Sequence, residues 1–305
     1  MAKIALKVDV DTLRGTKEGV PNLGRALKRF DLKATFLFSL GPDHTGWALK
    51  RIFRPGFLKK VSRTSVVEHY GVKTLLYGVL LPGPDIGKRA AAEMRAIDQA
   101  GHETGIHAWD HVAWHDGVRH QDGAWTKHQM QKSWDRFIEI FRHPPTTYGA
   151  AGWQMNQTAF EQLDRWGIRY SSDGRAEPNL LPYRLLLSSG KANHVQYPTT
   201  LPTLDELIGV NGDDEFAAVD KLLTLTNSNP NDQVFTLHAE LEGQKLLPAF
   251  EKLLAGWLNQ GHELVTMGEL HRSWEATKQL DKIASLPITW GEIPNRSGEL
   301  IIEGT

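Results

Sequence analysis

The sequence predicts one α/β domain arranged as a barrel. Strand-like and helix-like segments alternate along 305 residues, the pattern of strands laid parallel with helices between them. A helix-to-strand junction of the same composition occurs twice, as Gly101-His-Glu103 and Gly261-His-Glu263. Asp9, Asp11, His107, Ser172, Asp173 and His238 all fall at predicted strand ends. In a barrel of this kind the carboxyl ends of the strands surround the active site.

Ile4–Val10 alternates in polarity and reads as a buried strand. Val20–Phe30 places Leu23, Leu27 and Phe30 on one helical face, with Pro21 suited to the first turn. Ala34–Leu40 is a second apolar strand. Asp85–Ala100 carries Ile86, Ala90, Met94 and Ile97 at helical spacing and ends at Gly101, a good left-handed cap. The next strand presents His107. Trp125–Phe141 is an amphipathic helix with Met130, Trp134, Phe137 and Phe141 inward. Short strands are predicted at Thr147–Ala151, Tyr170–Ser172, His194–Tyr197, Val234–His238 and Glu263–Thr266, with a helix at Ala249–Asn259.

Pro42–Pro84 interrupts this rhythm. It separates the second strand from its helix by about forty residues, where a few are usual. Lys50, Arg51, Arg54, Lys59, Lys60, Arg63 and Lys73 are interleaved there with Trp47, Phe53, Phe57 and other apolar residues. Such a mixture suits an anionic membrane surface, with Trp47, Phe53 and Phe57 in the interface and Arg51, Arg54, Lys59 and Lys60 on phosphates. A helical excursion with a solvated basic face is the alternative. The expected organisation is one catalytic domain over residues 1–305 with this insertion at 42–84.

The formal net charge of −1 argues against nucleic acid as a partner. The chain has no cysteine, which excludes disulfides, thiolate-bound zinc and a thiol nucleophile. Lys7, Asp9 and Asp11 interrupt any apolar signal-peptide core, and no stretch approaches the roughly 18 apolar residues of a membrane span. The expected location is the cytoplasm, free or on a membrane surface.

Asp9-Val-Asp11 and His107-Ala-Trp-Asp-His111 supply two carboxylates and two imidazoles. His107 and His111 at i, i+4 share a metal if the segment turns helically. Two His and one Asp as ligands leave a second Asp as base and the distant His238 as acid, which is the constitution of a metal-dependent hydrolase. Asp-x-Asp alone is also compatible with a structural role or with a nucleotide-sugar glycosyltransferase, although only eight residues precede Asp9. Asp and His ligands suit several divalent ions, with Zn, Mn or Co expected here.

Five segments resemble, in order, the motifs of the polysaccharide deacetylase superfamily, the NodB-homology group of carbohydrate esterase family 4. They are Lys7-Val-Asp-Val-Asp11, Gly101-His-Glu-Thr-Gly-Ile-His-Ala-Trp-Asp-His111, Tyr148-Gly-Ala-Ala-Gly-Trp153, Tyr170-Ser-Ser-Asp173 and Thr236-Leu-His238. The resemblance implies a distorted, incomplete β/α barrel holding one divalent metal ion. It makes Asp11, His107 and His111 the ligands, Asp9 the general base and His238 the general acid. Tyr148, Trp153, Asp173 and Glu240 are the expected substrate contacts, with Glu240 and Glu242 reading equally well as solvated acids, and a backbone N–H near Ala150–Trp153 is the expected oxyanion donor. The chain departs from the family at the third motif, where an arginine that supports the base is replaced by Ala150-Ala151.

Further stretches narrow the resemblance: Leu6 to Thr16, Phe53 to Lys60, Gly149 to Asn156, Tyr197 to Asp205, His238 to Gly243 and Asn295 to Gly298. They resemble a branch of the family that acts on a polyprenyl-phosphate-linked amino sugar. This implies removal of formyl from a 4-formamido sugar at the cytoplasmic face of the bacterial inner membrane. The product is the amino sugar used in lipid A modification and resistance to polymyxin and cationic antimicrobial peptides. Deacetylation of polymeric glycans is the rival activity.

Overall fold

The computed structural model describes residues 2–48, 71–178, 180, 182–227, 229–296 and 298–302. Its centre is a parallel sheet. β1 (Lys3–Val10), β2 (Thr35–Ser39), β3 (Glu103–Ala108), β4 (Thr147–Tyr148), β5 (Tyr170–Ser171) and β8 (Val195–Gln196) follow one another in space. β9 (Gln233–His238) pairs with the other edge of β1, and β10 (Glu263–Val265) pairs with the first residues of β1 below β2. The sheet curls into an incomplete barrel. Beyond β8, Thr200 N–H donates to Val234 O at 3.1 Å, which brings the last strand of the curl to β9.

Period-two alternation in β1 sorts its side chains between two environments. Ile4, Leu6, Val8 and Val10 point outward into the main core beneath the helices. Ala5 points inward, into a small apolar cluster with Tyr170, Val195, Tyr197, Val234, Val265 and Met267 that fills the lower barrel. Lys7 and Asp9 continue that inward row toward the carboxyl end. The apolar outer row anchors the strand, since each fully buried Val or Leu side chain contributes about 1.5–3 kcal/mol. The inward row is thereby free to be polar.

Helices α1 (Val20–Arg29), α2 (Ala91–Gln99), α3 (His111–Gly117), α4 (Gly123–Phe141), α5 (Gln157–Arg165), α6 (Glu215–Asn227), α7 (Leu247–Asn259) and α8 (Met267–Ala276) surround the sheet. The helix expected over Asp85–Ala100 is broken at Ala90 (φ −128°, ψ 20°). Its first turn, Ile86–Arg89, is tied to the chain after β2, where Ile86 N–H donates to Gly41 O and Gly87 N–H to Leu40 O. These bonds aim the first turn away from the axis of α2.

The segment expected as an insertion begins and ends at neighbouring positions. Pro42 and Asp85 form an antiparallel bridge, and Asp43 N–H donates to Pro84 O at 2.9 Å. β6 (Arg184–Leu187), β7 (Gly190–Lys191) and β11 (Ser285–Pro287) form a separate small sheet, while β12 (Thr289–Gly291) and β13 (Leu300–Ile302) form an antiparallel pair that packs back on the barrel through Arg175 N–H to Ile301 O.

Candidate active site

The expected metal ligands converge at the carboxyl end of the barrel. One ligand atom each from Asp11, His107 and His111 lie within 4.8 Å of one another. Asp11 follows β1, and its N–H donates to Glu240 Oε1 at 3.1 Å. Thr12 donates to the same oxygen through its N–H (2.9 Å) and its hydroxyl (2.8 Å). The buried Glu240 thus fixes the turn that presents Asp11.

His107 comes from β3. Its Nδ1 lies 2.6 Å from Gly149 O. A carbonyl only accepts, so Nδ1 carries the proton and the Nε2 lone pair faces the site. Nε2 is 3.2 Å from Asp11 Oδ1, and His111 Nε2 is 3.5 Å from Asp11 Oδ2. Asp11 Oδ1 is buried and has no hydrogen-bond partner. A carboxylate oxygen and an imidazole lone pair facing each other require a cation between them, either a proton or a metal ion. Burial opposes ionisation of Asp11, yet His111, His107 and His238 outweigh it and hold the carboxyl well below its usual range. Burial likewise opposes charging His107, but Asp9 and Asp11 outweigh it and raise its pKa. The donor set fits a divalent cation.

His107 lies near the end of β3, as the sequence predicts, and His111 begins α3, so the two histidines do not share a helical turn. Asp110 caps that helix, accepting Ala113 N–H on Oδ1 at 3.0 Å. A capping residue with extended backbone cannot continue a helix backward, so the chain turns between the imidazoles. Their rings still stack, with centroids 5.3 Å apart. The other Asp110 oxygen lies 2.5 Å from His44 Nδ1, so the turn between the two histidines is held from both sides.

Asp9 is almost wholly buried beside this cluster. Its Oδ2 lies 3.1 Å from Lys7 Nζ. Its Oδ1 lies 3.7 Å from His107 Nδ1 and has no hydrogen-bond partner. His238 ends β9 directly across from Asp9 in the strand register. The His238 N–H donates to Glu242 Oε2 at 2.7 Å, and burial pushes the Glu242 carboxyl up to about 8.

The four expected substrate contacts occupy different places. Tyr148, Trp153, Asp173 and Glu240 are all buried. Tyr148 packs in the main core. Trp153 donates from Nε1 to Thr199 Oγ1 at 3.0 Å, with Arg175 and Arg296 against its ring. Asp173 accepts Ala150 N–H at 2.9 Å and the Gln196 side-chain amide at 2.9 Å. Glu242, read from sequence as a solvated acid or sugar contact, is buried as well. These motif residues build the wall behind the site. Ala150 N–H is consequently taken out of any oxyanion role. The backbone turns sharply just after it, with Gly152 at φ 63° and Trp153 at φ 56°. A Cβ on Gly152 would sit 2.1 Å from His115 Cδ2, so both conformation and space require glycine there.

Of the residues assigned to a membrane surface, Trp47 is described. Its ring stacks on His44 at 3.9 Å and its Nε1 donates to Gly78 O at 2.7 Å, so one edge is committed to the protein. Arg51, Phe53, Arg54, Phe57, Lys59 and Lys60 lie outside the described residues.

Lys7, Asp110 and Gly149 carry structural roles at the site that their motifs alone did not assign. Two had a local signal: Lys7 shares a strand face with Asp9 at i, i+2, and Asp110 precedes a helical stretch as a capping residue. The role of Gly149 O had none.

A curled parallel sheet with two imidazoles and a carboxylate gathered at its carboxyl edge is the arrangement of a deacetylase-type hydrolase. The polysaccharide deacetylase family matches residues 3–171, and the chain belongs to that family; it is a hydrolase acting on an amide C–N bond. Two curated relatives bear the name probable 4-deoxy-4-formamido-L-arabinose-phosphoundecaprenol deformylase ArnD. The one from Shewanella sediminis (strain HAW-EB3) is 36% identical over 98% of this chain and 94% of its own. The one from Wigglesworthia glossinidia brevipalpis is 32% identical over 93% of this chain and 96% of its own. Among solved structures, a Mycobacterium smegmatis protein described as a polysaccharide deacetylase superposes with a TM-score of 0.65 at 17% identity, covering 96% of this chain and 95% of that one. A Pseudomonas aeruginosa PAO1 protein of the same description has a TM-score of 0.61 at 13% identity, covering 90% and 91%. These structural likenesses concern the fold.

Proposed function

We propose that this chain is a metal-dependent deformylase acting on undecaprenyl-phosphate-linked 4-deoxy-4-formamido-L-arabinose. Hydrolysis of the formamide releases formate and leaves the 4-amino-4-deoxy-L-arabinose lipid, which serves lipid A modification and resistance to polymyxin and cationic antimicrobial peptides. The observation that carries this reading is the 36% identity to a deformylase of that name over 98% of the chain. The Asp11, His107 and His111 cluster supports the metal dependence.

Asp11, His107 and His111 would hold the divalent cation, which when bound supplies Lewis acidity to the amide carbonyl and to water. The protein's own groups do the rest. Gly149 O holds the His107 ring in the tautomer that offers Nε2. Asp9 takes the proton from water through Oδ1, the oxygen without a partner. His238 gives a proton to the departing sugar nitrogen. With Ala150 N–H occupied by Asp173, the N–H groups of Ala151 and Gly152 are the donors proposed for the developing oxyanion.

Residues 1–305 are read as one catalytic domain whose insertion, 42–84, meets the cytoplasmic face of the inner membrane. In its described part, Val72, Val79 and Leu80 are exposed, Leu80 by 75%. Among the described residues no helix is long and apolar enough to cross a membrane. The deciding experiment supplies the purified protein with the lipid-linked formamido sugar and measures formate release beside metal content. Release that depends on a bound divalent ion is expected. No formate from this lipid, with acetate released instead from an acetylated glycan polymer, would overturn the reading.

A further inference from the structure

We propose that Lys7 is the positioning residue for Asp9, selecting which of its two oxygens serves as the base. Lys7 is 0% exposed. An ammonium so deeply placed requires an anion, because an unpaired buried charge costs several kcal/mol. That anion is Asp9, whose Oδ2 is 3.1 Å from Lys7 Nζ. Apart from His107, Lys7 is the one cation paired with Asp9 among the described residues. The family arginine expected from the third motif is absent; Ala150-Ala151 stand in its place, and the Ala150 N–H is given to Asp173.

The surroundings are shaped to the lysine. Its Nζ lies 5.2 Å from the centroid of the Trp153 ring, a favourable distance for a cation on an aromatic face. A Cβ on Gly149 would come within 2.3 Å of Leu37 Cδ1 and 2.9 Å of Lys7 Cε, so glycine leaves room for both side chains. With Oδ2 held, the carboxylate plane is set, and Oδ1 is turned toward His107 without a hydrogen bond of its own. The cation that steadies the base thus comes from its own strand, two residues earlier, on the inward face.

This inference rests on Asp9 being the base of the proposed reaction. The experiment compares wild type, Lys7→Met, Lys7→Arg, Asp9→Asn and Lys7→Met/Asp9→Asn in steady-state deformylation, with thermal melts of the metal-free proteins. Lys7→Met should lower kcat about 100-fold with KM nearly unchanged, the cost of a misplaced catalytic group. Lys7→Arg should recover most of that loss, because it keeps the charge. In the Asp9→Asn background Lys7→Met should cost nothing further, and the double variant should melt higher than the sum of the single shifts predicts. Wild-type kcat in Lys7→Met, no recovery by Lys7→Arg, or losses that multiply with Asp9→Asn would overturn the proposal. If wild type releases no formate, the deformylase reading fails, while additive melting shifts would still overturn the pairing and non-additive ones uphold it.

Discussion

Asp9 and His238 occupy the same register on neighbouring parallel strands, β1 and β9. Residues so paired face the same side of a sheet, which here is the inside of the barrel. The proposed base and the proposed acid therefore stand on two rigid strands, and the first of them leads directly into Asp11. Strand pairing, which is held by backbone hydrogen bonds, sets their spacing.

Metal retention is expected to depend on Gly149 O as well as on the ligands. Loss of any of Asp11, His107 or His111 should abolish turnover and sharply weaken metal binding. Chelation should inactivate the enzyme, and a divalent ion should restore it. Metal analysis of a His107→Ala protein checks this, with wild-type metal content as the contrary result.

Asp9→Asn should retain metal while losing roughly a hundred- to ten-thousand-fold in kcat, the usual contribution of a general acid or base. Retention is expected because Asp9 Oδ2 is engaged by Lys7 rather than by the ligand cluster. Parallel kinetics and metal analysis of Asp9→Asn and Asp11→Asn decide the assignment. Metal loss confined to Asp9→Asn would exchange the two roles.

Glu242 should make the folded protein less stable as pH rises. Burial moves its carboxyl up from an ordinary 4.5 to about 8. The folded state thus holds a proton between those values that the unfolded state has lost, so stability falls with increasing pH across this window. The contribution is fully present below about 4.5 and gone once pH passes about 8. Melting curves from pH 5 to 8.5 should show a steeper decline for wild type than for Glu242→Gln, which cannot ionise. Identical slopes would remove Glu242 as the source.

Membrane attachment should follow charge and apolar surface in the insertion. Substituting Glu for Arg51, Arg54, Lys59 and Lys60 should release the protein from anionic vesicles, since each basic residue near such a surface contributes about 1 kcal/mol. Val79→Ser with Leu80→Ser should weaken binding without altering its salt dependence. Turnover of the lipid-linked substrate should fall far more than that of a short-chain analogue, with metal content unchanged. Vesicle sedimentation of these variants is the measurement, and equal binding by all of them would mark the basic segment as a solvated face.

Much of this protein was legible in its residues. Apolar alternation in Ile4–Val10 and Val234–His238 marked the strands, and the aspartates and histidines at their ends marked the site, because strand periodicity and ligand chemistry are local properties. The sequence by itself determined the α/β class and the family, and it singled out Asp11, His107 and His111, which the fold brings together. What the tertiary structure decided was the direction each buried polar group faces. Glu240 and Glu242 follow His238 in a polar-looking run, yet both turn inward, toward the backbone of Asp11 and Thr12 and of His238. Lys7 looks like an ordinary surface charge until β9, Trp153 and Gly149 close around it. Only strands distant in sequence supply that enclosure. Burial converts a solvated charge into one that must find a partner, and in this barrel the partner is Asp9.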